Sequence, residues 1–128
     1  MNASKHKVAI VGCGWIGLGA QLDLFRALPA SHAQAAAMNP RVDLVALVDS
    51  SLEALELGKK LYPQATVYTN VRDMILKESP EIVVIASPPD SHNQNILDCL
   101  QAKTPKAILC EKPISHDYES SKHAVELC

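Results

Sequence analysis

Three glycines at fixed spacing, a carboxylate closing an apolar run, and a lysine between a glutamate and a proline could do chemistry here. Gly12, Gly14 and Gly17 form GxGxxG directly after Val8, Ala9, Ile10 and Val11. Such a turn suits a dinucleotide diphosphate. The first glycine permits a tight turn, the second lets the diphosphate approach the backbone, and the third lets a following helix pack against the strand. N–H groups at the start of that helix attract phosphate, which puts Trp15 and Ile16 in the cofactor-binding set. Neither Cys13 nor Trp15 is assigned a catalytic role. Glycine-rich turns also arise for steric reasons alone, so the position after a strand carries the reading.

Asp49 closes the run 42–48, where a carboxylate can bind both ribose hydroxyls of an adenosine. Its separation from Gly17 exceeds the usual spacing of about 20 residues, and an insertion between them explains the excess. The plainer alternative is helix-start chemistry together with Ser50. As a ribose ligand, Asp49 would repel a 2′-phosphate, and no Arg or Lys follows within the next few residues. NAD is therefore favoured over NADP. Two further segments, Ser87 to His92 and Glu111 to Pro113, follow the fourth and fifth apolar runs. In open α/β sheets, ligands lie beyond the carboxyl ends of strands near the switch point, so both segments face the cofactor.

The elements that position these residues alternate along the chain. Apolar runs at 7–11, 42–48, 66–68, 82–86 and 107–110 suit strands buried on both faces. Between them, Ser50 with Glu53 makes a capping box ahead of Leu52, Leu55 and Leu61. Asn70 with Asp73 opens the next helix, Asp90 or Ser91 caps a third, and Asp117 caps the last. Ser31 is a plausible N-cap for a helix over 32–38. Residues 19–30 then form an insertion, helical around 22–28, and read as surface elaboration rather than a lid. The fold class is α/β: a Rossmann-type doubly wound parallel sheet in one domain.

Composition narrows the function classes. The 128 residues are 48% hydrophobic and 20% charged, a globular profile. Twelve Lys and Arg against fourteen Asp and Glu give a formal charge of -2, which offers no reason to expect nucleic acid or a membrane as a partner. The apolar runs are too short to cross a bilayer. The first six residues are polar, with no secretory signal. Cys13, Cys99, Cys110 and Cys128 form no CxxC pair, so reduced thiols in a cytoplasmic protein are expected, and no metal site.

Taken together, the motifs resemble the Gfo/Idh/MocA family of glucose–fructose oxidoreductase, inositol dehydrogenase and rhizopine-catabolism oxidoreductases. The resemblance rests on Gly12 to Gly17, Asp49, the Ser-Pro turn from Ser87 to His92, and Glu111-Lys112-Pro113, and it covers nearly the whole chain from Lys7. It implies that Lys112 is catalytic, contacting the nicotinamide ribose and the reacting hydroxyl. Glu111 would orient or pair with that lysine, and Pro113 completes the cofactor-facing motif. Ser87 and Pro88 would act through backbone contacts. His92 would brace its helix or do chemistry, with bracing preferred. His32 looks like the histidine that usually follows the glycine turn, displaced by the insertion. His6, His116 and His123 are expected to be ordinary surface residues. The family adds a second domain with the substrate pocket and an acid–base residue. Residues 1–128 are thus expected to be the cofactor domain alone, cut inside a helix. The parent would be a homo-oligomeric dehydrogenase of a small-molecule sugar or cyclitol. The alternative is a non-catalytic dinucleotide-binding regulatory or sensor module.

Overall fold

Side chains that are apolar at every position, not at every second one, bury a strand on both faces. In a computed structural model describing residues 3–128, the five apolar runs are β1 His6–Val11, β2 Val42–Val48, β3 Thr66–Tyr68, β4 Ile82–Ile85 and β5 Ala107–Cys110. Met1 and Asn2, part of the polar amino-terminal stretch, lie outside the described residues. All pairings are parallel, in the order β3-β2-β1-β4-β5. Neighbours along β1 face opposite ways. Val8 and Ile10 join one core with Leu44, Leu47, Leu55 and Tyr62, while Ala9 and Val11 join another with Met74, Ile75, Ile85 and Ile96. Completely buried residues such as Ile10, Met74 and Ile75 each contribute about 1.5–3 kcal/mol.

Five helices cover the faces: α1 His32–Met38, α2 Leu52–Leu61, α3 Val71–Glu78, α4 His92–Ala102 and α5 Tyr118–Leu127. Three open on the expected caps. Ser31, Asn70 and Asp117 accept from the amides of Gln34, Asp73 and Ser120, each cap worth about 1 kcal/mol. Two expectations need correction. The cap of α2 is Ser51, which accepts from the Ala54 amide, not Ser50. The Asp49 carboxylate takes the Ser51 amide and starts the helix one residue later. Neither Asp90 nor Ser91 caps α4 through its side chain. Pro89–Ser91 form a 3-10 turn that runs directly into the helix, and the Ser91 hydroxyl donates to the Pro88 carbonyl.

The segment after the glycine turn also departs from expectation. No regular helix starts there. Residues 15–18 form turns and Gly19–Leu22 a short 3-10 helix, so the expected helix around 22–28 is absent as well. Yet the backbone resumes in register. The His32 amide donates to the Ile16 carbonyl at 3.0 Å and the Ala33 amide to the Gly17 carbonyl at 2.9 Å. Those bonds match the i to i−4 pattern of one helix if Leu18 were followed directly by Ser31. The register is thus that of one helix laid out in two pieces, with residues 19–30 looped out between them. The loop is tied at its base: Gln21 Oε1 accepts from Tyr62 at 2.6 Å and from Ser31 at 3.1 Å. At its tip, Leu24 and Phe25 are fully exposed.

Deleting residues 19–30, so that Leu18 meets Ser31, should leave the fold intact. The Gln21–Tyr62 hydrogen bond is lost at about 1 kcal/mol, and about 2 kcal/mol of loop-closure entropy is recovered. Urea denaturation should show a stability within about 2 kcal/mol of the parent chain. A deletion variant lacking cooperative unfolding would refute the two-piece helix.

Candidate functional site

The strand order reverses direction between β1 and β4, and the candidate residues gather at the carboxyl ends of those strands. Each hangs from the sheet by one more ladder bond. The amides of Gly12, Asp49, Ala86 and Glu111 donate to the carbonyls of Val48, Tyr68, Val11 and Ile85. Gly12 turns the chain with φ of 97°, a conformation that costs side-chain-bearing residues. It also lies against β4, for a Cβ there would sit 2.4 Å from the Ser87 nitrogen. A Cβ on Gly17 would sit 1.9 Å from the Gly12 carbonyl oxygen. A Cβ on Gly14 would meet nothing within 4 Å, so that glycine leaves open space.

Asp49 is fixed by two main-chain donors from different elements. The Cys13 amide donates to Oδ2 at 2.7 Å and the Ser51 amide to Oδ1 at 2.8 Å. A carboxylate accepts about four hydrogen bonds, so each oxygen keeps capacity for a hydroxyl. Beside it, the Cys13 thiol donates to the Val48 carbonyl. Burial, reinforced by the Asp49 charge, pushes that thiol up to about 12.

A cavity of 380 Å³ brings together Gly12, Asp49, Ser50, Ser87 and Pro88, within the range of small-molecule sites. Asp90 and Ser91, within the Ser87 to His92 segment expected to face the cofactor, also line it, and so do Thr69 and Asn95, which were not foreseen. Thr69 lies just beyond β3, so the switch-point rule applied to the third strand would have found it. Asn95 is one helical turn past Ser91. Its Nδ2 donates to the Ser87 hydroxyl at 2.8 Å, a contact with no motif of its own. The lining holds two carboxylates, Asp49 and Asp90, and no Lys or Arg.

The other expected site residues do not line that cavity. Trp15 is 55% exposed, with the Arg26 guanidinium 5.4 Å from its ring centre. Ile16 contributes its carbonyl to the split helix, as described. His92 is buried, with Nε2 2.7 Å from the Ser87 carbonyl and Nδ1 2.9 Å from the Ile114 carbonyl. That is a brace between the turn after β4 and the loop after β5. Glu111 neither pairs with the Lys112 ammonium nor points it. Its Oε1 accepts from His32 Nε2 at 2.7 Å and its Oε2 from the Lys112 amide at 3.1 Å. Chiefly the His32 contact, then the Lys112 amide, holds the Glu111 carboxyl below the usual carboxylate range. Among the described residues, the Lys112 ammonium makes no hydrogen bond or ion pair.

Among the described residues, no three metal-ligating side chains cluster, and no helix is long and apolar enough to cross a membrane. The sequence pattern of an oxidoreductase family, described as an NAD-binding Rossmann fold, matches residues 6–128. An inositol 2-dehydrogenase of Rhodococcus erythropolis is 38% identical over 73 residues, 57% of this chain and 20% of that protein. A D-glucoside 3-dehydrogenase of Escherichia coli is 27% identical over 128 residues, the whole of this chain and 32% of that protein. The structure of WlbA dehydrogenase from Bordetella pertussis, in complex with NADH and UDP-GlcNAcA, superposes with a TM-score of 0.80. There the identity is 25%, over all of this chain and 33% of that one. The chain therefore spans a third or less of the length of these relatives.

The glycines separate by role. Gly17→Ala should cost about 3 kcal/mol or more, because a rigid backbone oxygen occupies the space. Gly14→Ala should change stability by less than about 0.5 kcal/mol. Thermal or urea unfolding of the two variants checks the contrast, and equal losses would refute it.

Proposed function

The chain belongs to the Gfo/Idh/MocA oxidoreductase family, and from that premise we propose that it is the cofactor-binding part of an NAD-dependent dehydrogenase of sugars, cyclitols or related hydroxy compounds. The observation that carries this reading is the Asp49 carboxylate. It is fixed by the Cys13 and Ser51 amides, keeps free acceptor capacity, and faces the same cavity as Gly12 and Ser87.

These residues fit a dinucleotide. The open space over Gly14 admits a diphosphate, next to the turn amides of Trp15, Ile16 and Gly17. Asp49, with Ser50 beside it, would hold the adenosine ribose. Two carboxylates and no cation in the lining oppose a 2′-phosphate, which supports NAD over NADP. Ser87 and Pro88 form the wall on the β4 side, and His92 acts by bracing that wall. Bound NAD supplies the hydride acceptor. Lys112, with Glu111 and Pro113 around it, would contact the nicotinamide ribose. Its ammonium would stabilise charge developing on the substrate oxygen.

The relatives are named for inositol and glucoside oxidation, and both kinds of compound carry several hydroxyl-bearing carbons. That supports the substrate class. The substrate pocket and the acid–base partner belong to a second domain in this reading, in a cytoplasmic homo-oligomer.

Titration calorimetry tests the cofactor assignment. NADH should bind at least about tenfold more tightly than NADPH, since a like-charge contact must be overcome for the latter. Asp49→Ala should weaken NADH by about 1–3 kcal/mol and leave NADPH less affected. Gly14→Ala should lower affinity for both without loss of fold. Equal or stronger binding of NADPH by the parent chain would sink the role of Asp49.

A further inference from the structure

The loop after β5 is held at two points by histidines from other elements. At its start, His32 of α1 bonds the Glu111 side chain at 2.7 Å. Midway along it, His92 of α4 lies 2.9 Å from the Ile114 carbonyl. Between them stands Lys112, the cation assigned to the reaction above. The first of these contacts survives a large disturbance. The looped-out residues 19–30 precede His32, yet two backbone bonds return it to the helical register of Ile16 and Gly17. Its ring then reaches Glu111, the residue after β5.

The contact matters because of what Glu111 would otherwise do. Glu111 and Lys112 are adjacent, both at the end of β5, and opposite charges this close attract. In the structure both carboxylate oxygens are engaged elsewhere, one by His32 and one by the Lys112 amide. The His32 and Glu111 side chains are only 22% and 23% exposed, so water competes weakly for their bond. We propose that His32 is a positioning residue that holds the Glu111 carboxylate away from the Lys112 ammonium, leaving that cation free to face the substrate oxygen. The inference rests on the role given to Lys112 under the proposed function, and it explains why a glutamate can stand beside a lysine that must stay unpaired.

Acetylation of lysines in the 128-residue chain, followed by peptide mass spectrometry, reads this directly. An amine paired with a carboxylate spends less time deprotonated and reacts more slowly. Relative to Lys122, Lys112 should react about threefold more slowly in His32→Ala, the size expected of an exposed ion pair. Adding Glu111→Gln to that variant should restore the parent rate. An unchanged rate in folded His32→Ala overturns the proposal, and so does a slowed rate that Glu111→Gln fails to restore. Should His32→Ala fail to fold, His32→Phe keeps the ring volume without the nitrogens and carries the same expectation. A separate arm tests the premise alone: NADH should protect Lys112 from acetylation. Absence of protection would remove the nicotinamide-side role of Lys112 while leaving the His32 result to stand.

Discussion

Three backbone segments meet at one point, with no room for a side chain between them. The end of β1 turns at Gly12, the Ala86–Ser87 peptide beyond β4 presses on that turn, and Gly17 presses on the Gly12 carbonyl. Any Cβ at Gly12 or Gly17 would overlap main-chain atoms, which cannot move aside as a flexible side chain can. This crowding brings the switch point, the turn amides and the wall after β4 into one place. Asp49 reaches the same place because its carboxylate is bonded to the Cys13 amide, inside the turn. The cavity is thus a by-product of close backbone packing, and its polar groups are aligned before any ligand arrives. Such prior ordering reduces the cost of binding.

The two halves of the site are built differently. The Asp49 half is held by main-chain donors and by sheet ladder bonds. The Lys112 half has one ladder bond, from the Glu111 amide, and is otherwise held by side chains reaching in from α1 and α4, namely His32 and His92. A main-chain framework tolerates sequence change around it, whereas a side-chain framework depends on particular residues. Substitutions at His32 or Glu111 therefore act on the Lys112 half, whereas His92, bonded to the Ser87 carbonyl as well as to that of Ile114, joins the two halves.

Much of this was legible in the sequence, and the reasons are physical. Apolar runs bounded by turn residues located all five strands, because burial on both faces leaves a dense signal. GxGxxG after a strand located the turn because glycine is a steric requirement there. Asp49, Ser87 and Pro88 followed from topology. What escaped was set by tertiary contact. Whether Ser50 or Ser51 caps α2 depends on where the Asp49 carboxylate points. The break in the first helix was visible only as surplus length, while the hydrogen bonds that rejoin it depend on three-dimensional register. Thr69 and Asn95 belong to no motif. The partner of Glu111 was sought next to it in sequence, in Lys112, and it lies instead in His32, 79 positions away.

The cysteine inside the glycine turn bears on how such a protein meets oxidants. Cysteine reacts with peroxides and electrophiles as the thiolate. Burial, reinforced by the Asp49 charge, pushes the Cys13 thiol up to about 12, so it stays protonated at neutral pH. Burial closes the remaining route by keeping reagents away. The glycine turn thus carries its cysteine in a form that oxidants and electrophiles meet last.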